Sequence, residues 1–220
     1  LVCSDMPVVA GEFFHAFVFA AFNHSLSIRN AMTTLLQDIL AHNRAVTEKE
    51  GEARRAAAVA LEKTPHRRCA IFTCMDARLV EMVEPALGIR RGDAVVLRNA
   101  GNIIGTLEGT MIISLLVAVF MQNIEEIIVV GHEDCGFTHA SSAVLLDKMR
   151  QRGIGEKAVE TMRGPLETYL DPHTDPEQNV RDVVQLLRTH PAFPPDIVVH
   201  GLLMQPASGS VRLVVDGSRD

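Results

Sequence analysis

Residues 69–78 read CAIFTCMDAR, and the two halves of that stretch differ in character. Cys69 to Thr73 is a short, almost wholly apolar run, the pattern of a strand buried on both faces. Cys74, Asp76 and Arg78 then follow at alternate positions of a polar turn. In an extended segment such alternation points side chains to one side. A buried strand ending in reactive side chains is the plan of an open α/β sheet, whose ligands bind beyond the C-terminal strand ends.

The rest of the chain repeats this plan. Ala94 to Arg98 (AVVLR) is a second strand and runs into the loop Asn99-Ala100-Gly101-Asn102. Glu126 to Val130 (EIIVV) is a third, closed by Gly131-His132-Glu133-Asp134-Cys135-Gly136. Asp196 to Leu203 and Val211 to Val215 form a terminal hairpin across the Pro206–Ser210 turn. Helical patterns lie between: about Val80 to Leu87 with Gly88 as its stop, Thr106 to Asn123, His139 to Arg150, and Glu177 to Thr189. In the last, Val180, Val183, Val184 and Leu187 share one face. The Thr106–Asn123 stretch is apolar on almost every side, so it is expected inside the protein or at a subunit interface. Residues 151–175, punctuated by glycine and proline, read as a loop with a short helical piece. Upstream, Leu36, Ile39, Leu40 and Asn43 predict a helix over 33–46 with Thr33 or Thr34 as its cap. A second helix runs from Glu52 to Glu62 and ends at Thr64-Pro65. The expected fold is therefore α/β, with a mostly parallel central sheet flanked by helices and an antiparallel C-terminal edge strand.

Residues 32–220 read as a single domain, without internal repeat or linker. Residues 1–31 stand apart as an N-terminal extension to which no function is assigned. Its apolar run, Phe13 to Phe22, is too short to span a bilayer, and no lysine or arginine precedes it as in a secretory signal. The net charge of −6 argues against nucleic acid or anionic membrane as a partner. With no tryptophan and one tyrosine, the chain lacks aromatic platforms for sugars or single-stranded bases. Four cysteines, Cys3, Cys69, Cys74 and Cys135, are too few for a disulfide framework at this length. They suit a reducing, cytoplasmic setting, where cysteines bind metal, react or fill the core.

Cys74, His132 and Cys135 all follow predicted strand ends. If those strands are neighbours, the three converge. Two thiolates and one imidazole suit Zn2+, and three protein ligands leave the fourth tetrahedral position to water. Zinc brings the pKa of bound water to about 7. Arg78 can hold Asp76 ionised through a bidentate pair, and Asp76 can then orient the attacking hydroxide. Taken singly, each residue has a plainer reading: a buried cysteine, or a surface Asp–Arg pair. Cys69, inside a strand, and Cys3 keep the structural reading, and His139 reads as a solvated helix residue.

CMDAR at 74–78, RNAGN at 98–102 and GHEDCG at 131–136 together resemble the signatures of the β-carbonic anhydrases, over roughly residues 32–216. The resemblance implies zinc on Cys74, His132 and Cys135, with an Asp76–Arg78 dyad. It implies a substrate pocket bounded by Asn99, Ala100 and Gly101, with the Gly136 backbone near the substrate. The implied reaction is reversible hydration of carbon dioxide to bicarbonate and a proton. Hydrolysis of carbonyl sulfide or carbon disulfide at the same zinc, and a non-catalytic zinc- or bicarbonate-binding role, are the alternatives. Plant-type members carry a glutamine upstream of the first cysteine, where this chain has Thr64-Pro65-His66-Arg67-Arg68. It is closer to a shorter bacterial branch. A homodimer or dimer-based higher oligomer is also implied, with the 33–46 helix and the apolar 106–122 helix suited to its interfaces.

Overall fold

The computed structural model describes residues 12–59, 63–172 and 175–218. Cys3, the first eleven residues and the end of the expected 52–62 helix lie outside them. The chain divides into two compact units at Leu61. The described residues of the first form one helix, α1 (Glu12–Val59). The two upstream helices expected from the sequence are thus continuous, and Thr33 and Thr34 lie within the helix, not at its start. Gly51 lies within the helix, and Arg54 pairs with Glu50 at 2.8 Å, one turn apart across it.

The second unit is built on five strands: β1 (Cys69–Cys74), β2 (Ala94–Asn99), β3 (Glu126–His132), β4 (Val198–Met204) and β5 (Val211–Val215). Their order is β2-β1-β3-β4-β5. The first three pairings are parallel and β4–β5 is antiparallel, as the sequence pattern predicts. All six residues of β1 are buried, because it has parallel neighbours on both sides and cover on both faces. Ala70 and Phe72 pack with Ile127 and Val129 under α3 (Thr110–Gln122) and α6 (Pro176–Thr189). Cys69 and Ile71 face the opposite layer with Leu79 and Val83, the latter starting the short helix α2 (Val83–Ala86).

Helix α6 begins at Asp175, whose carboxylate accepts from the Glu177 and Gln178 amides, and buries Val180, Val183, Val184 and Leu187. It lies very close to β3. A Cβ added to Gly131 would sit 2.5 Å from Val180 Cγ2, so only glycine allows this approach. Helix α3 is half-buried rather than enclosed. Ile112, Leu115, Ala118 and Val119 face the core, while Ile113, Val117, Phe120 and Met121 are exposed in the single chain.

Three further elements depart from expectation. The helix expected at Val80–Leu87 is only the short α2 (Val83–Ala86), with a 3-10 turn at Ala77–Leu79 before it. The helix expected at His139–Arg150 is α4 (Ser142–Gln151), preceded by a 3-10 turn at Gly136–His139 that holds the exposed His139. Within 151–175 lies a full helix, α5 (Glu156–Leu170). Gly164-Pro165 suggested a break, but Val159 and Leu170 anchor the helix in the core despite the internal proline. Among the described residues, no helix is long and apolar enough to cross a membrane.

Candidate metal centre

Parallel pairing decides where the reactive residues meet. Register places Cys74 opposite Asn99, Thr73 opposite Val130 and His132 opposite Met204. Three strand ends therefore share one edge of the sheet, where α/β folds bind ligands. Cys74 ends β1, His132 ends β3, and Cys135 follows a tight turn in which Asp134 adopts φ 51°. Aspartate tolerates that left-handed conformation better than most residues.

The ligand atoms of Cys74, His132 and Cys135 lie within 4.8 Å of one another, and all three residues are buried. The two sulfurs are 4.0 Å apart. Bonds of about 2.3 Å from one tetrahedral zinc would place them about 3.8 Å apart, so the spacing fits a shared ion. His132 Nδ1 is 2.9 Å from the Glu133 carbonyl and donates to it. That bond leaves Nε2 with its lone pair free, and Nε2 is buried without a hydrogen-bond partner among the described residues. A buried bare nitrogen beside two buried thiols is costly unless a cation shares it. This donor set fits a soft, tetrahedral metal.

The two thiols are biased in opposite directions, Cys74 toward the thiolate that binds metal and Cys135 toward the protonated form. The Cys74 thiol is pulled down to about 4, first by the Cys135 thiol hydrogen bond, then by His132 and the Asp76 and Gly101 amides, with burial opposing. Cys135 is pushed up, by that same bond to Cys74 and by burial.

Around the triad, Arg78 grips Asp76 twice, Nε to Oδ1 at 3.1 Å and Nη2 to Oδ2 at 2.8 Å. The Arg78 amide adds a third bond to Oδ1 at 2.9 Å. These bonds hold the Asp76 carboxyl at about 2, well below the usual carboxylate range. Asp76 Oδ2 lies 3.8 Å from the bare His132 Nε2. Arg78 is fixed in turn by Asp134, through Oδ2 at 2.8 Å and the main-chain carbonyl at 2.7 Å. Asp134 was not singled out by sequence reasoning. Its place inside GHEDCG was the available signal.

The Asn99–Gly101 loop lies against Cys74: Asn99 pairs with Cys74 in the β1–β2 register, and the Met75 amide donates to the Asn99 carbonyl at 2.9 Å. Gly101 has φ 70° and packs against Ile103 and Phe137. Ala100 is held through its carbonyl by the Tyr169 hydroxyl at 2.9 Å. Gly136 is exposed at the start of the 3-10 turn. Arg98, within the RNAGN signature, pairs with Glu84 at 2.8 and 3.0 Å, not with the Cys–His–Cys cluster. A cavity of about 550 Å³, lined in part by Asn99, Ile103, Gly105 and Tyr169, adjoins the loop. Tyr169 and Asn179, which hold the loop, carry no motif and were missed by sequence reasoning.

A parallel sheet with a Cys–His–Cys cluster at its C-terminal edge defines a metal-binding α/β enzyme class, and a carbonic anhydrase family profile matches residues 69–211. The chain belongs to the β-carbonic anhydrase family. YtiB of Bacillus subtilis (strain 168) is 36% identical over 84% of this chain and 98% of its own. The crystal structure of β-carbonic anhydrase isoform I from Trichomonas vaginalis matches with a TM-score of 0.79 and 38% identity, covering 83% of this chain and 98% of that one. A carbon disulfide hydrolase of Acidithiobacillus thiooxidans is 28% identical over 67% of this chain and 77% of its own.

Proposed function

We propose that the chain catalyses the reversible hydration of carbon dioxide to bicarbonate and a proton, using one zinc ion held by Cys74 Sγ, His132 Nε2 and Cys135 Sγ. When bound, zinc lowers the pKa of its water to about 7 and so provides a nucleophile at neutral pH. Asp76, kept ionised by Arg78, accepts a hydrogen bond from the reacting water and turns its lone pair toward the substrate. Arg78 also keeps Asp76 from swinging onto the metal, and Asp134 keeps Arg78 in place. Asn99, Ala100, Gly101 and the Gly136 backbone bound the space in which a linear three-atom substrate lies. The reading rests chiefly on one observation: a bare, buried His132 Nε2 within reach of two thiols, with a clamped carboxylate 3.8 Å away.

Metal analysis with stopped-flow hydration, on wild type and Asp76→Ala, tests it. The expected result is one zinc per chain and a loss of about 100-fold in the variant with metal retained. A folded wild type without zinc, or a variant as fast as wild type, overturns it. Likeness to carbon disulfide hydrolases supports a second reading, hydrolysis of carbon disulfide or carbonyl sulfide at the same site. Turnover of those gases but not of carbon dioxide by one preparation selects it.

Self-association belongs to the same proposal. The exposed apolar face of α3 and the exposed Leu35, Leu36, Ile39 and Leu40 of α1 support packing against a second copy of the chain.

A further inference from the structure

The Asn99–Ile103 loop contributes no ligand atom, yet it lies against the segments that do: Asn99 pairs with Cys74 across β1 and β2, the Asn99 carbonyl accepts from the Met75 amide at 2.9 Å, and Gly101 abuts Phe137, two residues after Cys135. Its shape is demanding. Gly101 and Asn102 are both left-handed, at φ 70° and 46°, and a non-glycine residue keeps that conformation only where its surroundings over-determine it. The constraint comes from α6, nearly eighty residues away. Asn179 Nδ2 donates to the Gly101 carbonyl at 3.1 Å and to the Asn102 carbonyl at 3.3 Å. Asn179 is only 4% exposed and sits beside Val180, Val183 and Val184 on the core-facing side of its helix. Its Oδ1 is buried without a partner among the described residues. A buried amide that leaves its own acceptor unsatisfied is placed there for its donors. From α5, the Tyr169 hydroxyl holds the neighbouring Ala100 carbonyl.

We propose that Asn179 is a positioning residue for the metal centre: its side-chain amide clamps the Gly101 and Asn102 carbonyls and thereby fixes the loop that pairs with the end of β1 at Cys74 and packs on Phe137, two residues after Cys135. A single NH2 group can serve two adjacent carbonyls, which neither a carboxylate nor an apolar side chain can do. Tyr169 acts as the second tie. This inference rests on Cys74 being a metal ligand, not on the identity of the gas consumed.

The test uses full-length protein loaded with Co2+, whose thiolate-to-cobalt absorption reports the metal–sulfur bond directly. Asn179→Leu keeps the branching of the side chain and removes the donor. The expected result is native far-UV circular dichroism, a shifted charge-transfer band and about tenfold faster metal loss to a chelator. A folded variant with the wild-type band and a loss rate within twofold of wild type overturns the proposal. Should Asn179→Leu fail to fold, Tyr169→Phe carries the test, since it keeps the ring and releases only Ala100. A smaller shift in the same direction supports the clamp, and an unchanged band and loss rate overturn it. Wild-type protein that binds cobalt through thiolate without hydrating carbon dioxide sinks the hydration reading alone. Wild type without a thiolate–cobalt band sinks both.

Discussion

At the scale of single residues, the centre is organised by hydrogen bonds that leave little choice. The Glu133 carbonyl selects the His132 tautomer, and the Arg78 fork selects the orientation and charge of Asp76. Lysine carries the charge of arginine but not its planar pair of donors. Arg78→Lys is therefore expected to retain zinc yet lose about 10- to 100-fold in hydration rate, read by metal analysis beside stopped-flow kinetics. A variant at wild-type rate would show that charge alone suffices. If Cys135 holds zinc as proposed, Cys135→Ser removes a soft ligand and should leave the purified chain without stoichiometric zinc. Residues with a distinctive spacing, such as Cys74, Asp76 and Arg78, were legible in the sequence. Asn179 and Tyr169 were not, because a lone asparagine in an amphipathic helix and a lone tyrosine carry no pattern. Their meaning lies in what they touch. Burial raises the Tyr169 hydroxyl to about 12, so it remains a donor to Ala100 throughout the neutral range.

At the scale of elements, close packing and caps carry the stability. Gly131→Ala would press a methyl group into Val180 of α6. It should cost about 1–3 kcal/mol in denaturant unfolding, as overpacking generally does. An unchanged midpoint would mean that α6 can shift freely. Asp171 receives the Ser142 amide at 2.8 Å and its hydroxyl at 2.7 Å, tying the end of α5 to the start of α4. Those bonds hold the Asp171 carboxyl below its ordinary value. Its contribution is thus fully present above about pH 4, the unfolded value, and is lost as pH falls through the lower folded value. The stability gap between wild type and Asp171→Asn should hold steady near neutrality and close in acid. A gap that widened in acid would reverse the sign. Helix α5 also shows a limit of local reading: Gly164-Pro165 looked like punctuation, yet burial of Val159 and Leu170 outweighed the proline.

At the scale of the whole molecule, a single chain leaves Ile113, Val117, Phe120 and Met121 of α3 exposed. Light scattering behind size exclusion should give at least a dimer, and Phe120→Glu with Val117→Glu should shift it toward monomer. A wild-type monomer at micromolar concentration would refute the self-association reading.

The amino-acid sequence by itself determined the five strands, the antiparallel last pairing and the residues that could bind metal. It did so because period, apolar runs and turn residues act over a few positions. It also showed that Cys74, His132 and Cys135 each stand at a strand end. Only the tertiary structure decided that those ends are adjacent, by setting β1 between β2 and β3 in parallel register. The same folding brought Asp134 to Arg78 and Asn179 to Gly101, contacts 56 and 78 residues apart along the chain. Such pairings arise from packing of complete elements, which no local pattern encodes.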